Sequence, residues 1–111
     1  MNERPAIVCL TGSTRFMNAY RQAERALALE GKIVLTVAFV TSDVDDGFIN
    51  QVTSQQKAVL DQLHLRKIDL ADEVLVLNVG GYIGESTTQE IAYARAKGKR
   101  IRFLEQVAVP S

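Results

Sequence analysis

Four short apolar runs, separated by longer segments of helical character, are the feature that most constrains this chain. The runs are rich in Val, Ile and Leu, which favours strands: Ala6–Leu10, Lys32–Val40, Glu73–Val79 and Arg100–Leu104. The segments between them predict helices over Arg15–Glu30, Gln51–Leu70 and Thr87–Lys97. Strands that alternate with helices form a parallel sheet with right-handed crossovers. We therefore predict a small α/β sheet of about four strands with helices on both faces.

The doubly wound, Rossmann-like or flavodoxin-like, arrangement with strand order 2-1-3-4 suits such a chain. In that order the chain reverses direction between the first and third strands, and ligands bind beyond the carboxyl ends of the strands at this point. Those ends lead into Thr11–Arg15 and Asn78–Ser86, which are rich in Gly, Ser and Thr. The sequence therefore predicts a cleft between these two loops.

Size and charge restrict the class of protein. A chain of 111 residues, 47% hydrophobic, fits a single domain over residues 1–111. Its 13 basic and 13 acidic residues cancel, which argues against a nucleic acid polymer as partner. No apolar stretch approaches the roughly 20 residues that span a bilayer, so no membrane partner is predicted. The lone cysteine, Cys9, is predicted to be a buried inert thiol, and we expect a cytoplasmic protein.

The two loops contain the candidate binding residues. Thr11, Gly12, Ser13 and Arg15 lie between a strand and a helix, where backbone N–H groups and the helix dipole favour an anion. The alternative is that Ser13 or Thr14 only caps the helix. The remaining candidates follow the third strand or lie in the acidic loop Thr41–Asn50: Asn78, Gly81, Tyr82, Gly84, Ser86 and Phe48. Tyr82 and Phe48 among them supply rings for base stacking.

Glu90 is the best candidate for a reacting carboxylate, because it is predicted to lie in the first helical turn after the second loop. The alternative is a capping box over Thr87–Glu90, in which Glu90 would bond back to the N-cap amide. Glu85, predicted to precede that helix, is the rival carboxylate. His64 shares a stripe with Leu60 and Ile68. It is predicted either to pack against the sheet or to reach the cleft edge and orient Glu90.

Metal and cofactor motifs are missing from the sequence. It has no paired cysteines, no His-x-x-x-His and no calcium-loop spacing, so no metal is predicted. It also lacks the phosphate-binding Gly-x-x-x-x-Gly-Lys-Ser/Thr motif of ordinary ATPases. No cofactor is predicted.

Three segments resemble the nucleoside 2-deoxyribosyltransferase-like family, which includes the 2′-deoxynucleoside 5′-phosphate N-hydrolases. They are Ile7–Arg15 (IVCLTGSTR), Ala71–Asn78 (ADEVLVLN) and Glu85–Lys99 (ESTTQEIAYARAKGK). The resemblance implies a glutamate nucleophile near a helix start, which matches Glu90. It also implies a 5′-phosphate held by Gly12, Ser13, Gly84 and Ser86. Where the family commonly carries an aspartate that assists the leaving base, this chain has His64, with Asp69 nearby.

The residues and the resemblance together lead to three functional hypotheses. The first is cleavage or transfer at the N-glycosidic bond of a nucleoside or nucleoside 5′-monophosphate, by Glu90 with help from His64. The second is a non-catalytic nucleotide-binding or sensing module. The third is a phosphoribohydrolase, since Gly80–Glu85 with Glu90 weakly resembles the Gly-Gly and Glu motif of phosphoribohydrolases that are similar to lysine decarboxylases. The resemblance further implies a homodimer or larger homo-oligomer that completes the site.

Overall fold

The computed structural model describes residues 4–37 and 53–106. Within them the strands are β1 (Ile7–Thr11), β2 (Ile33–Leu35), β3 (Glu73–Val76) and β4 (Arg100–Phe103). The helices are α1 (Met17–Leu29), α2 (Ser54–Leu70) and α3 (Glu85–Ala96), and a 3₁₀ turn spans Val79–Gly81. The predicted elements are all present with shifted ends. The predicted continuation of β2 beyond Val37, residues 51–52 of the second helix and the loop carrying Phe48 lie outside the described residues.

The sheet has the strand order β2-β1-β3-β4, and every neighbouring pair is parallel, which confirms the predicted fold class. Val8 of β1 lies opposite Val34 of β2, and Cys9 lies opposite Val74 of β3. The chain therefore passes from β1 through α1 to β2 on one side, and then from β2 through α2 to β3 on the other side of β1. The crevice predicted from this reversal opens beyond Thr11 and Val76, the last residues of β1 and β3.

Both faces of the sheet are covered by helices, because side chains alternate along each strand. On one face Cys9, Val74 and Val76 pack with Ile68 of α2 and Ile91 of α3. On the other face buried side chains of β1 and the residue after β3 meet α1, in a second cluster formed by Val8, Leu10, Tyr20, Ala23, Leu27 and Leu77. The predicted placement of helices on both faces is confirmed, and β1 and β3 are the two central strands of the sheet.

Local capping explains where two helices begin and end. Thr53 caps α2 by accepting from Gln56 N, and the Gln56 side chain accepts from Thr53 N, which completes a capping box. After α1, Gly31 adopts a φ of +83°, a conformation that L side chains rarely adopt. No helix in the described parts of the chain is long and apolar enough to cross a bilayer.

Asp72 ties the amino ends of β1 and β3 together. Its carboxylate accepts from Ile7 N at 2.8 Å and from two nitrogens of Arg4 at 2.7 and 2.9 Å. These bonds, that from Arg4 foremost, hold the pKa of Asp72 well below its usual range. Asp72 therefore lies at the edge of the sheet opposite the crevice.

We predict that Ile68→Ala lowers the free energy of unfolding by about 2–5 kcal/mol, because it opens a cavity where α2 meets the sheet. Ile68 is completely buried, whereas Leu29 at the end of α1 is 74% exposed. Leu29→Ala is the control and should change stability by less than about 0.5 kcal/mol. Chemical denaturation monitored by circular dichroism measures both variants. Equal losses would contradict the packing of α2 described above.

Candidate functional site

A pocket of about 440 Å³ lies at the carboxyl ends of the strands, where the sequence predicts a cleft. Its walls come from the β1–α1 loop, from one face of α2 and from the start of α3. The predicted candidates in its lining are Gly12, Ser13, His64, Tyr82, Gly84, Ser86 and Glu90. A pocket of this size is within the usual range for small-molecule sites.

Glu90 lies in the pocket wall with its side chain 19% exposed. The Thr11 hydroxyl donates a hydrogen bond to Oε1 of the Glu90 carboxylate. Burial raises the pKa of Glu90, whereas the bond from Thr11 opposes the rise by stabilising the ionised form. A carboxylate that is partly desolvated, fixed in position and open to a pocket has the properties of a nucleophile or base.

The capping-box alternative for Glu90 is wrong, because α3 begins earlier than the sequence predicts. Its first residue is Glu85, and its N-cap is Gly84, which has no side chain to cap the helix. Glu90 therefore lies in the second turn, too far along the helix to reach the N-cap amide. Glu85, predicted to be in a loop, is the exposed first residue of α3 and also lines the pocket.

His64 satisfies both predictions made for it, packing and proximity to Glu90. It is 5% exposed on α2, and its Nε2 lies 3.7 Å from Glu90 Oε1 and 3.9 Å from Cys9 Sγ. Burial, and then the positive charge of Lys67, lower the pKa of His64 to about 4. The ring is therefore neutral near pH 7. Cys9 is buried as predicted, and burial followed by the charge of Glu90 raises the pKa of its thiol to about 12.

Gly12 permits a close approach between the first loop and the chain that follows β3. Its φ is +150°, and a Cβ at this position would lie 3.0 Å from Leu77 O. Tyr20 also holds this loop in place, since its hydroxyl donates a hydrogen bond to Gly12 O at 2.7 Å. Neither Ser13 nor Thr14 caps α1, whose N-cap is Phe16. Both therefore remain in the pocket lining, where the Ser13 hydroxyl oxygen accepts from Arg15 N at 3.3 Å.

Tyr82 joins the two loops. The Arg15 guanidinium lies 4.8 Å from the centre of the Tyr82 ring. The rings of Phe16 and Tyr82 form a T-shaped pair whose centroids are 6.0 Å apart. Arg15 therefore packs beside the pocket and is not part of its lining. At the start of α3, Gly84 and Ser86 line the pocket, and no side chain caps the helix.

Besides Arg15, three more predicted binding residues lie outside the pocket lining, and a fifth is not described. Thr11 is completely buried and bonds Glu90. Asn78 exchanges hydrogen bonds of 3.0 and 2.8 Å with the backbone of Glu105 and so fixes the chain after β4. Gly81 belongs to the 3₁₀ turn outside the pocket lining. Phe48 lies outside the described residues.

Sequence reasoning missed the charged residues that α2 contributes to the pocket, Lys57, Asp61 and Lys67. Lys57 Nζ lies 3.1 Å from Asp61 Oδ2, and Lys67 Nζ donates to Thr36 O at 2.7 Å. The spacing of residues 57, 61 and 64 places them on one helical face, so the position of His64 was the signal that could have found them.

Asp69, the aspartate that the sequence places near His64, faces away from the pocket. It accepts from the Tyr93 hydroxyl at 2.6 Å and pairs with Arg66 at 3.0 Å. The bond from Tyr93 is the main reason that the pKa of Asp69 lies below its usual value. The aspartate of α2 that lies in the pocket wall is Asp61. The described residues contain no group of three or more His, Cys, Asp or Glu placed to hold a metal ion.

We predict that the ring of His64, the one histidine in the sequence, titrates with a midpoint near pH 4. The unfolded ring binds a proton near pH 6.5, while the folded ring resists it. The contribution of His64 to stability is therefore complete above about pH 6.5 and is lost as the pH falls toward 4. NMR of the imidazole carbons measures the midpoint directly. A midpoint near 6.5 would contradict the buried, neutral ring.

Comparison with known proteins adds a match of fold. No protein-family model matches the chain, and no curated protein matches its sequence. Among solved structures, the chain is similar to a 2-deoxyribosyltransferase from the psychrotolerant bacterium Bacillus psychrosaccharolyticus, with a TM-score of 0.61 and 16% sequence identity. The match covers 93% of this chain and 77% of that enzyme. This protein therefore has the α/β fold of that deoxyribosyltransferase.

Proposed function

We propose that the protein cleaves or transfers the N-glycosidic bond of a nucleoside or nucleoside 5′-monophosphate, with Glu90 as the nucleophile. The observation that carries the proposal is the Glu90 carboxylate itself, held by Thr11 in the wall of a pocket of about 440 Å³. The fold shared with a 2-deoxyribosyltransferase supports the same class of reaction.

The chemistry proceeds in two displacements. The ionised carboxylate of Glu90 attacks C1′ of the sugar as the C1′–N bond breaks, and the base leaves with the bonding electrons and takes up a proton from solvent water. The product is a glycosyl ester on Glu90, formed through a transition state with oxocarbenium character. Water or a second base then attacks C1′, the ester C–O bond breaks and the carboxylate is restored. Water gives hydrolysis, and a second base gives transfer.

His64 is suited to orient Glu90 and poorly suited to supply a proton. Its pKa of about 4 leaves the ring neutral near pH 7, and Nε2 lies 3.7 Å from Glu90 Oε1. We therefore propose that His64 does not protonate the leaving base and that its neutral ring helps to orient the carboxylate of Glu90. Because the ring is neutral, it adds no positive charge next to the carboxylate that is proposed to react.

An anionic group on the substrate, such as a 5′-phosphate, fits the opposite part of the pocket. Gly12, Ser13 and Thr14 lie beside Gly84 and the start of α3, whose dipole favours negative charge. Lys67 adds positive charge on the α2 side, where Lys57 is paired with Asp61. This arrangement favours a nucleoside monophosphate over the free nucleoside.

We predict that Glu90→Gln lowers base release by at least on the order of 10⁴-fold, because a neutral amide cannot form the glycosyl ester. Glu85→Gln is the matched control: it removes a carboxylate from the same helix and the same pocket, and activity should persist. Chromatographic detection of free base from deoxynucleosides and their 5′-monophosphates measures both variants. Undiminished release by Glu90→Gln would remove Glu90 from the mechanism.

A non-catalytic nucleotide-binding module is the second candidate, favoured by His64 standing where the resembled family has an aspartate. Calorimetry with the same compounds separates the candidates, since binding without any product would establish the module. A ribonucleotide panel tests the third hypothesis in the same assay. Release from ribonucleoside monophosphates alone would indicate a phosphoribohydrolase.

We also propose that the chain forms a homodimer or larger homo-oligomer. Val59, Leu63 and Leu70 are exposed on α2, and their spacing places them on one side of the helix beside the pocket. Burying this stripe against a second copy would remove apolar surface from water. Sedimentation velocity should therefore show a species larger than the 12.3 kDa chain. A single species of 12.3 kDa over a wide concentration range would refute the assembly.

A further inference from the structure

We propose that Thr11 is a positioning residue that holds Oε1 of Glu90, so that the other oxygen, Oε2, is the one that meets the substrate. The inference rests on the proposed function, because it assigns the attacking atom of the proposed nucleophile. It replaces the substrate-binding role that the sequence suggested for Thr11. Such a role requires that both partners of the hydrogen bond are held firmly in place.

Thr11 is fixed by the centre of the sheet. It is the last residue of β1, it lies opposite Val76 of β3, and its carbonyl accepts from Leu77 N at 2.8 Å. The residue is completely buried, so a substrate in the pocket has no surface of Thr11 to contact. A β-branched side chain on a strand also has few rotamers. The Thr11 hydroxyl therefore has a defined position in the protein.

Glu90 is fixed by the packing of its helix. Ile91, the next residue, and Ala94, one turn further on, are both buried in the cluster between the sheet and the helices α2 and α3. The carboxylate thus approaches Thr11 from a helix whose position is set by the core. The contacts described above, from Thr11 Oγ1 and from His64 Nε2, both involve Oε1. That oxygen is directed toward the protein, which leaves Oε2 for the substrate.

The same hydrogen bond favours the ionised form of Glu90. Burial raises the pKa of the carboxyl group, and the Thr11 bond is the largest influence that lowers it. Other titratable groups around Glu90 come from β1, α1 and α2: Cys9, Tyr20, Lys57, Asp61, His64 and Lys67. Lys57 lowers the pKa of Glu90, and Asp61 raises it. Removal of the Thr11 hydroxyl should therefore shift the protonation of Glu90 to higher pH.

The experiment compares Thr11→Val, which removes the hydroxyl at nearly constant shape, with Thr11→Ser, which keeps it. For Thr11→Val we expect kcat to fall by about 10- to 100-fold, with KM close to that of the unaltered protein, because the nucleophile loses its alignment. The acid limb of its pH–rate profile should move to higher pH. Thr11→Ser should retain most of kcat and the original profile.

Thr88→Val is the control for loss of a threonine hydroxyl near Glu90. Thr88 lies on α3, two residues before Glu90, and its hydroxyl donates to Gly84 O at 2.8 Å. This variant should leave kcat and the pH profile unchanged. Circular dichroism checks that each variant is folded, and Thr11→Ala repeats the comparison with a smaller side chain if Val disturbs the strand.

A second measurement tests the inference independently of turnover. NMR titration of the Glu90 carboxyl carbon should show a higher pKa in Thr11→Val than in Thr11→Ser. Equal carboxyl pKa values, or an unchanged kcat in Thr11→Val, would overturn the role of Thr11 while the dependence on Glu90 stands. Undiminished activity of Glu90→Gln would instead overturn the proposed function, with the Thr11 contact still measurable by the titration.

Discussion

The parallel pairing of β1 with β3 is the constraint on which the rest of the structure depends. Asp72 binds Ile7 N at the amino ends of the pair, and Leu77 N binds Thr11 O at the carboxyl ends. Because β1 and β3 are parallel neighbours, the loops that follow them begin side by side. The chain then leaves the two strands in opposite directions, which opens a crevice between the loops. Gly12 permits that closeness, since a Cβ there would meet Leu77 O at 3.0 Å. The pocket exists because these two loops meet.

A partly buried carboxylate is the chemical consequence of this arrangement. Desolvation makes the ionised form of Glu90 more costly, and the Thr11 hydroxyl partly offsets that cost. His64 lies next to the same oxygen and is kept neutral mainly by its own burial. Thr11 and His64 thus meet Oε1 with side chains that bear no net charge near pH 7, and the buried Cys9 thiol contacts the His64 ring. Among the residues that the structure describes, no lysine or arginine forms an ion pair with Glu90, which suits the role of nucleophile that we propose for it.

The sequence predicted the fold more accurately than the details of the site. Alternating apolar runs and helical segments predicted the sheet, its order and the faces of the helices, because binary patterns and crossover handedness allow few arrangements. The start of α3 was predicted two residues too late, since no capping side chain marks Gly84. That local error alone produced the capping-box alternative for Glu90. Lys57 and Asp61 were missed because charged residues occur along much of α2, and the sequence does not show which of them face the pocket.

By itself, the sequence determined the order and type of the elements, the place of the cleft and the presence of Glu90 near it. These properties follow from local periodicity and from chain connectivity, which a sequence contains directly. Only the tertiary structure decided that Thr11 contacts Glu90 and that Asp61, rather than Asp69, faces the pocket. Helical spacing defines which residues share a face, but the rotation of a helix against its sheet is set by packing between distant residues. For that reason Thr11, 79 positions before Glu90, could be paired with it only in the folded molecule.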